Sequence, residues 1–242
     1  MTKYSTFAEN VLNFNEQLAN IQIKLPEGFK LINPFSGLNK DQIEEITTIF
    51  YNKFYNDRNK RYVIFGSSPA RRGSAIVGVP FEDATHLQQE TGITVDGFHI
   101  NKSSSNFLYD VINRCGGCDK FYSKFYMNFV CPLGIERETS PGHSVNCNYY
   151  ENKKLKQALY DFIVNSIKKQ LEFNIDKSIC YCIGSGENYK FLNQINNQFH
   201  FFKKIISLEH PRFIMQYNSK NKENFLEKYL NALSINEKEM NL

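Results

Sequence analysis

The sequence predicts an α/β protein, a three-layer α/β/α sandwich around a central, mostly parallel four-stranded sheet. Four short runs, at 61–65, 125–133, 178–183 and 205–208, are apolar with little interruption, as strands buried on both faces must be. Between them, apolar residues recur at helical spacing, so helices cross back between successive strands and make them parallel. No internal repeat or low-complexity linker interrupts the 242 residues, and one domain spanning 1–242 is expected.

Phe7, Val11, Phe14 and Leu18 mark the first helix, with Thr6 and Glu9 in capping-box positions. After a segment punctuated by Pro26, Gly28, Pro34 and Gly37, the residues Ile43, Ile46, Phe50 and Phe54 mark a second helix, with Asn39 and Gln42 placed as a cap. That helix feeds the strand at 61–65. A third helix is expected over 105–113 through Phe107, Leu108, Val111 and Ile112, stopped by Gly116-Gly117 ahead of the strand at 125–133. The stretch 134–152 is polar, contains Pro141-Gly142 and the run Asn146-Cys147-Asn148, and reads as an exposed loop. Leu155, Leu159, Phe162, Ile163, Ile167 and Leu171 then trace a long amphipathic helix into the strand at 178–183. Gly184-Ser185-Gly186 leads to a helix through Tyr189, Leu192 and Ile195, the strand at 205–208 follows, and Phe225, Leu226, Tyr229, Leu230 and Leu233 mark the closing helix.

With 41% hydrophobic and 14% aromatic residues the chain has material for an ordinary core. Lys+Arg 29 against Asp+Glu 25 leaves a net charge of +4, which permits a phosphate-bearing partner without demanding one. No apolar stretch approaches the ~20 residues that span a bilayer, and MTKYSTFAEN has no signal-peptide core. A soluble, cytoplasmic monomer without a membrane partner is therefore expected, nucleoid-associated if bacterial. The six cysteines are then expected as free thiols. Cys115-Gly-Gly-Cys118 has a metal-knuckle spacing but no matching second pair, and Cys180 and Cys182 alternate with Tyr181 and Ile183 inside a strand. Neither a metal nor another cofactor is expected.

Two segments depart from core patterning. FGSSPARRGSAIVGVPFED at 65–83 follows the first strand, and LEHPRFIMQY at 208–217 follows the last. Polar loops at the carboxyl ends of parallel strands are where an open α/β sheet builds its ligand crevice. The first loop lacks the Lys-Ser/Thr of a nucleotide-phosphate loop. Pro69 also stands where a serine-hydrolase elbow would start its helix. Arg71 and Arg72 read equally as phosphate contacts or as solvated surface.

Gly66-Ser67-Ser68-Pro69-Ala70, followed by Gly73, Gly78-Val79-Pro80-Phe81 and Asp83, resembles the first motif of the uracil-DNA glycosylase superfamily, in the branch of the single-strand-selective monofunctional enzymes and their bacterial relatives. Asn128 in Tyr126-Met-Asn-Phe-Val-Cys-Pro-Leu133 resembles the family's strand segment before Cys-Pro-Leu. Tyr181-Cys-Ile-Gly184 with Lys190-Phe191 resembles a later strand and helix, and His210-Pro211 the second catalytic motif. The resemblance implies a base-flipping enzyme acting on DNA, in which Gly66, Ser67, Phe81 and Asn128 bind the base. Phe81 would stack on it, Asn128 would pair with the O4 and N3–H edge of uracil, and His210 would donate to O2 as charge collects on the leaving base. Arg71, Arg72, Pro211, Arg212 and Phe213 would contact DNA, and 212–215 reads either as an apolar wedge or as a buried helix face. Ser103, Ser104 and Ser105 read as phosphate contacts or as a helix cap.

The pattern departs from the family at Ser68, where the family has its water-positioning asparagine, at Ala70 for glycine, and at Val77 for threonine. A serine is shorter and carries one polar atom, so a slower reaction or a shifted base preference is expected, with Asp83 and Ser67 as candidates to hold the water. The expected function is monofunctional excision of uracil, extending to bases such as xanthine. The alternatives are a weakened or inactive homologue that binds damaged or single-stranded DNA, and a small-molecule hydrolase using Ser68 or Ser185.

Overall fold

A computed structural model describes residues 5–94 and 102–239. Helix α1, Phe7–Ala19, opens on the expected capping box: Thr6 Oγ1 accepts from the Glu9 amide at 3.2 Å, and Glu9 Oε2 accepts from the Thr6 amide at 2.8 Å. Strand β1, Phe29–Ile32, precedes α2, Lys40–Tyr55, whose cap residue Asn39 makes no side-chain capping bond, contrary to the sequence reading. Strand β2, Arg61–Gly66, is followed by the short helices α3, Ser74–Val77, and α4, Ala84–Thr91. Then come α5, Lys102–Arg114, α6, Cys118–Lys124, and strand β3, Phe125–Phe129. Strands β4, Gly134–Ser140, and β5, His143–Cys147, lead to α7, Lys153–Gln170. The chain ends with β6, Ile175–Ile183, α8, Glu187–Phe199, β7, Lys204–Leu208, α9, Pro211–Tyr217, and α10, Lys222–Glu239.

The central sheet has the order β3-β2-β6-β7 with every neighbouring pair parallel, so the carboxyl ends of all four strands share one edge. Helices α5, α6 and α10 cover one face, where Leu108, Val111, Phe121, Tyr229 and Leu233 close around Ile64 and Met127. On the other face Phe7 of α1 packs edge-on against Tyr126, and α7 and α8 meet through Tyr160 and Phe191. At the far end of β2 from the crevice, the fully buried Arg61 donates twice to Asp57, at 2.7 and 2.8 Å, and lies between the rings of Phe7 and Tyr55. Its desolvated charge is thus paired and stacked.

The stretch 134–152 is not a loop. β4 and β5 form an antiparallel hairpin in which Ser140 pairs with His143, and the Pro141-Gly142 turn carries Gly142 at φ +77, the geometry a glycine tolerates best. β4 also pairs with β1, giving a separate three-stranded antiparallel sheet. Only Gly134, Ile135 and Cys147 of the hairpin strands are buried, so no apolar alternation announced them. The strand expected over 125–133 leaves the ladder at Phe129, but Val130 and Cys131 donate to Gly66 and Ser67 carbonyls at 2.8 and 2.9 Å, prolonging the pairing beside the first motif.

Candidate active site

The crevice lies at the carboxyl edge of the sheet, where β2 delivers the Ser67-Ser68 loop and β7 delivers His210. These strands are separated only by β6, which puts their ends about 10 Å apart at a usual strand spacing. Gly66 is needed because of Phe81: a β-carbon at 66 would fall 2.5 Å from Phe81 Cζ and 2.8 Å from Phe129 Cδ1. The Phe81 and Phe129 rings stack with centroids 4.9 Å apart. Phe81 adopts φ +64, costly for a non-glycine residue, and its amide donates to Ser74 Oγ at 2.8 Å. Gly78, at φ +72, ends α3 so close to α2 that a β-carbon would sit 2.6 Å from Ile43 Cγ2. Glu82, the residue after Phe81, is buried and accepts from the hydroxyls of Tyr109 and Tyr122, each at 2.7 Å. Burial pushes its carboxyl up to about 7 against these two stabilising bonds. The aromatic platform is thus fixed from both sides in sequence.

His210 caps α9, with Nδ1 accepting from the Arg212 amide at 3.1 Å. Its proton therefore belongs on Nε2. Desolvation, aided by the Arg212 charge, pushes the ring down to about 4, so it is neutral near pH 7. Pro211 is the buried first residue of that helix, whereas Arg212 and Phe213 are exposed, as is Tyr217. The segment is hence a helix with Ile214 buried and Phe213 and Tyr217 exposed.

Asn128 and Phe129 line one small cavity with Pro69, Ser74, Gly78 and Pro80, beside the turn that carries Phe81. In β3, Tyr126 faces α1 and α2, while Met127 faces the opposite side. Asn128 Nδ2 donates to Tyr126 Oη and its Oδ1 accepts from the Phe129 amide at 2.8 Å, so both polar atoms are engaged. Phe129 stacks on Phe81, and Asn128, its neighbour in β3, lines the adjoining cavity with its carboxamide bonded within β3.

Asp83 is likewise committed. It is 1% exposed, accepts from the Thr85 and His86 amides at the start of α4, and meets His86 Nδ1 at 2.7 Å and the Ser105 hydroxyl. Burial raises its carboxyl, but the bonds from Ser105 and His86 outweigh this and hold it below the ordinary value. It is therefore no free holder of a water. Ser105 serves that cluster, Ser104 is half-buried, and the side chain of Ser103 lies outside the described residues. Arg71 pairs with Glu136 of the hairpin at 3.8 Å and Arg72 is exposed.

The residues that the sequence reading missed come from the hairpin end. Asn148 Oδ1 accepts from Ser67 Oγ at 2.9 Å and from Ser68 Oγ at 3.1 Å, and Asn146 Oδ1 accepts from the Arg71 amide at 2.8 Å. Ser68 thus meets a carboxamide rather than a base, which disfavours it as a hydrolase nucleophile. Ser185 is exposed. The signal available in sequence was the two amides flanking buried Cys147 at a spacing of two.

A parallel sheet with a glycine-terminated first strand, an aromatic laid across it and a histidine beyond the last strand are the parts of a DNA glycosylase. Residues 52–234 match the uracil DNA glycosylase superfamily, and the chain belongs to that superfamily. By class it is a DNA glycosylase of base excision repair, with DNA as substrate. Among solved structures it is similar to wild-type Pedobacter heparinus SMUG2, at 42% identity and a TM-score of 0.90 over 96% of this chain and 98% of that one. No curated protein matches the chain.

Proposed function

We propose that this chain is a monofunctional glycosylase that removes uracil, and deaminated bases such as xanthine, from DNA. The observation that carries the reading is His210, a neutral imidazole whose Nδ1 is occupied by Arg212 so that Nε2–H is left as a donor at the crevice edge. As the C1′–N1 bond breaks, its electron pair moves onto the base. A neutral donor stabilises that charge where it collects, at O2. Phe81, backed by Phe129, offers a flat face for the extruded base. Water then bonds to C1′, releasing a proton to solvent, while the base anion takes one up. One water is consumed overall. No lysine stands in the loop motifs at 65–83 and 208–217 to form an imine with the sugar, so the strand is left intact.

Arg71, Arg72 and Arg212 supply positive charge beside the crevice for phosphates, and exposed Phe213 supplies an apolar edge for the gap left by the base. The test is incubation with a uracil-containing oligonucleotide followed by alkali. Alkali-dependent nicking supports the proposal, and nicking without alkali overturns its monofunctional part. Tight binding of the same oligonucleotide without excision supports instead the second reading, a binding homologue weakened at Ser68.

A further inference from the structure

We propose that Asn148, brought in by the β4–β5 hairpin, is the positioning residue that makes Ser68 able to hold the attacking water. The inference rests on the glycosylase reading. Ser67 and Ser68 are 8% and 9% exposed, so their hydroxyls need partners, and both give their single proton to Asn148 Oδ1. A hydroxyl that has spent its proton is an acceptor only. A water bound at Ser68 must then donate an O–H to Oγ, which turns the water's own lone pair away from the serine and toward the sugar carbon. Without Asn148 the Ser68 proton is free to point at the water and occupy that lone pair.

Asn148 is itself oriented. Its Nδ2 and its backbone amide both donate to Glu151 Oε1 at 2.8 Å, which leaves Oδ1 turned to the two serines. The chain of bonds runs from Glu151 through Asn148 to Ser68, and the Asn146 bond to the Arg71 amide holds the loop against the same hairpin. The atoms balance as in any hydrolysis at this carbon: the C1′–N1 pair leaves with the base, water oxygen bonds to C1′, and the surplus water proton passes to bulk solvent.

The test measures single-turnover excision from a uracil oligonucleotide, together with the Kd for an oligonucleotide carrying a non-cleavable tetrahydrofuran abasic site. Asn148→Ala is expected to lower the single-turnover rate on the order of 10²-fold while the Kd stays within about twofold. Asn148→Asp combined with Glu151→Gln, in which the carboxylate accepts from both serines and the amide introduced at 151 can donate to its second oxygen, is expected to recover the rate to within about fivefold. Ser68→Ala combined with Asn148→Ala is expected to be scarcely slower than either alone, because residues acting as a unit are non-additive. An Asn148→Ala rate within threefold of the unaltered protein, failure of the aspartate to rescue, or multiplying losses in the double alanine variant would each overturn the proposal. If the unaltered protein excises no uracil, the glycosylase reading fails instead, and the two failures are told apart.

Discussion

Phe81 lies where a side chain on residue 66 would have to be, its Cζ 2.5 Å from the position of a β-carbon on Gly66. Since Phe129 closes the other side at 2.8 Å, the added methyl cannot be absorbed by a small tilt of one ring. Gly66→Ala should therefore displace the platform, and misplacement on the scale of 1 Å costs about 10²-fold in rate. Single-turnover excision with near-unchanged circular dichroism is the measurement; a rate equal to that of the unaltered protein would rule out this role of Phe81.

The pH profile should expose His210. Its folded pKa, about 4, lies below the ordinary 6.5, so the neutral ring persists on acidification. The single-turnover rate is expected to stay level from pH 8 to about 5 and to fall only near 4. Arg212→Gln, which removes the second cause of the depression, should move that limb upward. The linked stability has a definite sign: between pH 6.5 and 4 the unfolded chain takes up a proton that the native one refuses, so stability declines over that window as pH falls.

Glu82 acts in the opposite sense. Its carboxyl titrates near 7 in the fold against an ordinary 4.5, so the native state binds the proton first, and stability rises as pH falls from 7 to 4.5 and is lost as pH rises through 7. Glu82→Gln abolishes this limb and should stabilise the protein above pH 8 by on the order of 3 kcal/mol. Urea unfolding at pH 5.5 and 8.5 measures it. An unchanged difference between the two pH values would show that the buried carboxyl is not the source.

Asn128 gives the test of base reading against support. Removing a buried amide that serves Tyr126 and the Phe129 amide should cost about 1–3 kcal/mol of stability. Asn128→Ala is accordingly expected to melt earlier and to show no excision of cytosine, assayed on matched uracil and cytosine oligonucleotides. Gained activity on cytosine would show Asn128 to be the reader of the base edge.

The parallel strands were legible because burial on both faces leaves an unbroken apolar run, as in Tyr62-Val-Ile-Phe65 and Cys180-Tyr-Cys-Ile183. The capping box at Thr6 and Glu9 was legible because it is local. The hairpin was not, since Glu136, Arg137, Glu138 and Thr139 dress both of its faces for solvent. The ends of β2 and β7 stood out as polar loops after apolar runs, and the segments that follow them carry Phe81 and His210. What a linear motif does not carry is contact: Asn128 and Phe129 line one cavity with Pro80, and that it is Phe129 which stacks on Phe81 follows from the pairing of Gly66 with Phe129. Asn148 lies 80 residues from Ser68, and only the folded hairpin brings the two together.

β1 belongs to the small sheet alone, yet by pairing with β4 it braces the ribbon that presents Asn146 and Asn148. It also falls before residue 52, where the superfamily match begins. A polypeptide trimmed to the matched boundaries would retain every motif and lose the strut behind its serine loop. The amino-terminal residues through Ile32 are thus functional length, to be kept in any minimal enzyme.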